Sequence, residues 1–190
     1  MRGGLEELLS EHRNNTAGVA TGKVLEIGPG TGTNLRYYNN LANVTLLEVN
    51  PFMIDFLVDR LHLLNNSAFI IQGKAESLPF KDNVFDSVVV TLSLASVSKL
   101  NVTLLEVLRV MKFNASFYFF EHVAAKSKIG KLLQLVCGKL WNFITCGDNL
   151  NRDISGAILS TGFRDVQIKD VDIEGALPFA RNGVIGLARR

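Results

Sequence analysis

The sequence predicts an α/β three-layer sandwich around a mostly parallel seven-stranded sheet, with an antiparallel pair of strands at its C-terminal end. Three observations carry that prediction. Apolar runs of strand length alternate with amphipathic stretches of helix length, the pattern of parallel strands joined by crossover helices. The first apolar run empties into a glycine turn, Gly28-Pro29-Gly30-Thr31-Gly32, which in an open α/β sheet faces the ligand crevice at the strand ends. The last two strand-like runs suit an antiparallel pair closing the sheet edge.

Taken in order, residues 1–21 form a lead-in. Leu5, Leu8 and Leu9 stand at i, i+3 and i+4 among Glu6, Glu7, Glu11 and Arg13, which predicts one amphipathic helix and no signal-peptide core. Strands are predicted at Lys23 to Ile27, Val44 to Val49, Ala68 to Gln72, Phe85 to Thr91 and Ser116 to Glu121. Between them the pattern predicts helices at Asn34 to Asn40, Phe52 to Leu64 and Val102 to Met111, the second opened by Pro51 at a first-turn position. Right-handed crossovers then set the strands side by side. The apolar stretch Ile129 to Ile144 is interrupted by Lys131, Gln134, Lys139 and Asn142 and is short for about 30 Å of hydrocarbon. Residues 125–150 accordingly read as a core helix, a lid over an acceptor pocket, or a face resting on lipid. A helix at Arg152 to Ser160 precedes the final strands, Arg164 to Asp172 and Val184 to Ala188. No repeat or linker divides the 190 residues, so a single domain is expected.

Composition narrows the function mainly by exclusion. The 20 Lys and Arg nearly cancel 18 Asp and Glu, leaving a formal charge of +2 and no run of five like charges, so no nucleic-acid partner is expected. Cys137 and Cys146 form no CxxC or Cys/His cluster, so neither a disulfide framework nor a metal site is indicated. Five Asn-x-Ser/Thr sequons, at Asn14, Asn43, Asn65, Asn101 and Asn114, stand without a secretory signal and read as chance.

The glycine turn is the most informative segment. Dinucleotide binding calls for G-x-G-x-x-G, whereas this loop reads G-x-G-x-G with Thr33 in the place of the third glycine. Glu26, two residues before Gly28, suits a cationic amino group better than a pyrophosphate. Such a group occurs on the methionine end of S-adenosylmethionine (SAM). Glu48 ends the second predicted strand about twenty residues beyond Gly28, where an acid accepts hydrogen bonds from both ribose hydroxyls of an adenosine cofactor. A third marker, Gly73-Lys74-Ala75-Glu76-Ser77-Leu78-Pro79-Phe80, would cover an adenine with backbone near Ala75 and Glu76. The expected cofactor contacts are Glu26, Gly28, Pro29, Gly30, Gly32 and Asn34 at the first turn. Glu48 and Val49 follow β-strand two, Lys74, Ala75 and Glu76 the third, and Thr91 and Ser93 the fourth.

Together, E-x-G-x-G-x-G, the acid after strand two and A-E-x-L-P-F resemble the class I SAM-dependent methyltransferases, whose fold is Rossmann-like. The match narrows at Ser93-Leu94-Ala95-Ser96-Val97, at Leu105-Glu106-Val107-Leu108-Arg109-Val110 and at Phe117-Tyr118-Phe119-Phe120-Glu121-His122-Val123-Ala124. With Asp148-Asn149-Leu150-Asn151-Arg152, these segments look like the thiol methyltransferases called methyltransferase-like proteins 7. The resemblance implies methyl transfer from SAM to the sulfur of small lipophilic thiols by a monomer. It also implies residence in the cytoplasm, peripheral on the cytosolic face of endoplasmic reticulum or lipid droplets. Three positions depart from the family pattern. Phe113-Asn114-Ala115 replaces a Pro-Gly-Gly turn, so Asn114 is expected to take the left-handed conformation. Lys74 stands where relatives carry Asp or Asn, and Asp148 where they carry Cys. A quinone, sterol or other lipid acceptor, and a catalytically silent adaptor, are the alternative readings.

Methyl transfer to a thiol needs orientation more than acid–base power, since a thiol with a pKa near about 8.5 is already partly thiolate at pH 7. His122, just past the fifth strand, is the expected base, with Glu121 orienting its ring.

Overall fold

The computed structural model describes residues 9–64, 67–125, 132, 134, 149, 151–173, 175–178 and 180–190. Seven strands form one sheet: β1 (Gly22–Ile27), β2 (Ala42–Glu48), β3 (Phe69–Gln72), β4 (Phe85–Thr91), β5 (Met111–His122), β6 (Arg164–Asp172) and β7 (Asn182–Arg189). Their order is β3-β2-β1-β4-β5-β7-β6. β1 to β5 are parallel, with Ile27 beside Leu47 on one side and Val90 on the other. β7 runs antiparallel between β5 and β6, so the C-terminal pair closes the sheet as expected.

Strand side chains alternate between two faces, and both faces are covered. Leu25, Ile27, Val88, Val90, Phe117 and Phe119 pack against Leu104 and Val107 of helix α3 (Leu100–Val110) and Ile154 and Ile158 of α4 (Ile154–Ser160). On the other face Val24, Val44, Leu46 and Val89 meet Leu57 of α2 (Pro51–Leu64) together with Ala17 and Ala20. The three-layer Rossmann-like sandwich follows directly from this alternation. Asn50 accepts the Phe52 amide at 3.0 Å as Pro51 opens α2, and Asp153 caps α4 through the Gly156 amide at 2.8 Å. That cap moves the helix start from the predicted Arg152 to Ile154.

Other boundaries also move. The helix predicted at Asn34 to Asn40 is only a 3-10 turn at Thr33–Arg36. Asn34 turns its amide down to a buried carboxylate, and Asn39 spends its own side chain on the carbonyl of Gly18 and the amide of Leu41. These local bonds compete with helix continuation. β5 begins at Met111, directly from the α3 end, rather than at Ser116. Within it, Asn114 has φ 62°, the left-handed conformation expected of it. Because a β-branched residue pays about 1–2 kcal/mol there, Asn114→Val is expected to lower stability by about that amount and Asn114→Gly not to lower it. Urea unfolding would read both.

Of the lead-in, the described part holds helix α1 (Ser10–Asn14) and a 3-10 turn at Ala17–Val19. Leu9 packs with Phe120 and Ile173, and the His12 ring lies 4.7 Å from that of Phe120. Leu5 and Leu8 lie outside the described residues, as does most of the stretch predicted at Ile129 to Ile144. Leu132 and Gln134 are helical. Gln134 is buried, and its side chain accepts from the Ala125 amide at 2.7 Å and donates to the Val123 carbonyl, fixing the chain just beyond β5. Among the described residues, no helix is long and apolar enough to cross a membrane.

Candidate active site

At the carboxyl ends of β1 to β4 lies a cleft of about 370 Å³. Clefts of about 400 Å³ near Phe113 and about 490 Å³ near Asn43 open at the other ends of the strands. Position decides between them: β2 and β4 flank β1 on opposite sides, and ligands of open α/β sheets bind outside the carboxyl ends at such a switch point.

The glycine loop forms the floor. Gly28 has φ 66°, and a Cβ there would stand 2.6 Å from Cβ of Ser93. Gly30 has φ 56°, and a Cβ on it would meet nothing within 4 Å. That empty space opens into the cleft, where a ligand can lie against bare backbone. Glu48, 6% exposed, fixes the loop from the side. Its Oε2 accepts from the Gly30 amide at 3.1 Å, and its Oε1 accepts from the amides of Val49 and Asn50 at 2.9 Å. The carboxylate is thereby held at the cleft wall with acceptor capacity to spare.

Gly73, Lys74, Ala75 and Glu76 make the opposite wall, and Ser93 with Ser96, Val97 and Ser98 the third. Glu76 Oε1 ties these two walls together by accepting from the Ser98 amide at 2.6 Å and the Lys99 amide at 3.2 Å. Although burial opposes it, these backbone bonds hold the Glu76 carboxyl below its ordinary value.

Beneath the loop runs a buried polar network. Asn34 Nδ2 donates to Glu26 Oε1 at 2.8 Å and to Thr91 Oγ1 at 3.0 Å. Tyr38 donates to Glu26 Oε2 at 2.9 Å, and Arg13 of α1 donates to Asn34 Oδ1 at 2.6 Å. Burial pushes the Glu26 carboxyl up to about 7, against the lowering pull of the Tyr38 and Asn34 hydrogen bonds. Burial also raises Tyr38, with the Glu26 charge adding to it, so the phenol keeps its proton and donates.

The cleft therefore gathers Gly28, Gly30, Glu48, Val49, Lys74, Ala75, Glu76 and Ser93. Glu26, Asn34 and Thr91 lie one layer below, not on its wall. Pro29 accepts the Gly32 amide at 3.0 Å and so tightens the loop, while Gly32 packs closely against Leu35 and Leu57. His122 and Glu121 do not line the cleft. As consecutive strand residues they point to opposite faces, and Glu121 Oε1 accepts from the amides of Ser93 and Leu94. The sequence alone does not single out Asn50, Met53 or Ser98 on the wall, nor Arg13 and Tyr38 below it. Asn50 carried a signal, since an Asn before Pro51 suits a helix start. Tyr38 and Arg13 carried none.

A carboxylate-braced glycine loop at the switch point of a sheet whose seventh strand is reversed is the architecture of the SAM-dependent methyltransferases. Comparison with known proteins agrees. Residues 25–119 match the family described as a methyltransferase domain. The human thiol S-methyltransferase TMT1A is 31% identical over 170 residues, 87% of this chain and 69% of that protein. The ubiquinone/menaquinone biosynthesis C-methyltransferase UbiE of Pseudomonas savastanoi pv. phaseolicola is 36% identical over 119 residues, 59% of this chain and 46% of that one. Among solved structures, Haemonchus contortus phosphoethanolamine N-methyltransferase 2 in complex with SAM superposes with a TM-score of 0.75 at 13% identity, covering 99% of this chain and 53% of that one. The chain belongs to the methyltransferase family, with SAM as its cofactor and a small molecule as its acceptor. The residues present fit that cofactor: the cleft lies in the size range of small-molecule sites, its floor is bare at Gly30, and Glu48 offers a fixed acceptor pair.

Proposed function

We propose that this methyltransferase methylates the sulfur of small lipophilic thiols. The observation that carries the reading is the extent of the similarity to TMT1A, 87% of the chain, which runs well past the residues of the methyltransferase domain at 25–119. SAM, when bound, would supply a methyl group activated by its sulfonium, passed to the acceptor sulfur with S-adenosylhomocysteine as the leaving group and the thiol proton released to a base or to solvent.

The chain's own residues hold and orient. Glu48 would take the ribose hydroxyls, and Gly28 and Gly30 would let backbone approach the cofactor closely. Lys74, Ala75 and Glu76 would flank the base, with Val49 below it. Ser93 would shape the wall beside the methyl. Glu26, bonded to Asn34 beneath the loop, would favour the cationic amino end in its ionised form. His122, at the end of β5 beside Gly183 and off the wall of the cofactor cleft, is proposed as the base that takes the acceptor proton. His122→Ala is expected to lower the rate at pH 7 and shift the pH profile; an unchanged rate and profile would remove the assignment.

The test of the function is incubation of the protein with SAM and an alkyl thiol, with the methyl thioether detected by mass spectrometry. Its companion is calorimetry with S-adenosylhomocysteine and with NAD. A thioether product and binding of the first ligand alone support the reading. The similarity to UbiE favours a second one, a carbon acceptor on a quinone or related lipid, and a C-methyl product from such an acceptor would replace the thiol. Turnover of neither class, with S-adenosylhomocysteine bound, would make the chain a silent adaptor. The proposed setting is the cytoplasm, peripheral on endoplasmic reticulum or lipid droplets, and protein left in solution in liposome flotation would argue against lipid contact.

A further inference from the structure

The turn that follows β4 departs from ordinary backbone at one residue. Leu92 has φ 55°, a left-handed conformation that leucine, unlike glycine or asparagine, rarely adopts. Such residues persist only where the surroundings over-determine them. Here the surroundings are specific. The Leu92 amide donates to the Phe120 carbonyl at 2.8 Å. The next two amides, of Ser93 and Leu94, both donate to Oε1 of Glu121 at 2.8 Å. Successive amides converging on one acceptor oxygen form a nest, and here the oxygen belongs to the chain itself. Glu121 is fully buried, and removing one partner from such a bond leaves buried donors unsatisfied.

What the turn carries explains why its shape matters. Ser93 Oγ donates to the Ile27 carbonyl at 3.0 Å, and Ser93 sits directly over Gly28. The turn is thus keyed to the glycine loop, and Ser93, Ser96 and Ser98 make one wall of the cleft. On its far side Arg152 donates to the Leu94 carbonyl at 3.1 Å and the Asn149 amide to the Ala95 carbonyl at 3.1 Å.

We propose that Glu121 is a positioning residue: its side-chain oxygen holds the Leu92–Leu94 turn with Leu92 in the left-handed conformation and so sets the wall that the cofactor meets. It acts through the turn and does not touch the cofactor, a role distinct from orienting His122. The proposal rests on the reading of the cleft as the SAM site, and the experiment therefore has an arm that needs no ligand.

In that arm, amide NMR of the full chain follows Ser93 and Leu94. Glu121→Gln keeps a carbonyl oxygen able to accept both amides, so their exchange protection is expected to persist. In Glu121→Ala it is expected to fall at least tenfold. In the second arm, calorimetry with S-adenosylhomocysteine is expected to give an affinity within about threefold of the parent for Glu121→Gln and at least thirtyfold weaker for Glu121→Ala. Adding Leu92→Gly to Glu121→Ala removes the cost of the left-handed turn and is expected to recover about tenfold of the lost affinity, a coupling that general destabilisation does not produce. Unchanged protection of both amides in Glu121→Ala would overturn the proposal whatever the ligand does. Equal loss of affinity in Glu121→Gln and Glu121→Ala, with no recovery from Leu92→Gly, would overturn it as well. A parent protein that binds no S-adenosylhomocysteine would bring down the cofactor reading alone, and the amide arm would still decide the role of Glu121.

Discussion

Gly28→Ala is expected to weaken S-adenosylhomocysteine binding by at least a hundredfold and to cost about 2–4 kcal/mol of stability. Two effects add. At φ 66° any L side chain is strained by about 1–2 kcal/mol. The new methyl would also lie 2.6 Å from Cβ and 2.8 Å from Oγ of Ser93, far inside the roughly 3.5–4.0 Å at which carbon atoms rest. Ser93 cannot withdraw, because its Oγ is bonded to Ile27 and its amide to Glu121. The loop must move instead, and a shift of about 1 Å in a positioning element can cost about a hundredfold. Gly30→Ala separates the two effects. Its Cβ meets no protein atom, so ligand binding should suffer while stability falls only by the backbone strain. Calorimetry and urea unfolding on both variants give the comparison, and an affinity for Gly28→Ala within threefold of the parent would contradict it.

The second large effect is a dependence on pH. The Glu26 carboxyl is raised from 4.5 to about 7 by burial, so the folded chain keeps a proton that the unfolded chain releases near pH 4.5. The stabilisation that proton brings is complete below about pH 4.5 and is lost as pH rises through 7. Its size is about 3 kcal/mol. The melting temperature should therefore fall by roughly 6–12 °C between pH 4.5 and 8 on this account, and Glu26→Gln should flatten that slope. Ligand binding should run the opposite way. A cationic amino end favours the ionised carboxylate, which at pH 6 is only about a tenth of the population. Affinity for S-adenosylhomocysteine should then rise about tenfold from pH 6 to 8. A flat affinity profile would mean that Glu26 stays ionised under the loop or takes no part in binding.

Much of the fold was legible because it rests on periodicity. The runs around Leu25, Leu46, Val89 and Phe119 have no other stable use than buried strands, and they fall where they were expected. Glu48 and the glycine loop were legible because a strand-end acid and a G-x-G-x-G turn are local signals. The rest depends on contacts between residues with no regular spacing. Arg13, Asn34 and Tyr38 meet at Glu26 from three separate segments, and nothing in the order of residues announces it. The pattern predicts a helix from Asn34, but its partner, a buried acid, leaves only a 3-10 turn there. Glu121 beside His122 suggested a pair, yet a strand sends neighbours to opposite faces, and the two amides it binds lie on another loop. Leu92 shows the limit most clearly, since no propensity predicts a leucine at positive φ.

The sheet order also governs how fast the chain can reach this structure. β1 finds its first partner nearby, with Gly22 beside Ala42, but its second is β4, where Ile27 meets Val90. β5 likewise waits for β7, with Ser116 beside Arg189. Each of these pairings closes a long loop before it gains any contact, and proteins dominated by such distant pairings fold in milliseconds to seconds rather than microseconds. During that interval β1 has one unpaired edge at Leu25 and Ile27, so the strand at the heart of the cofactor cleft is open to pairing with another chain until β4 arrives.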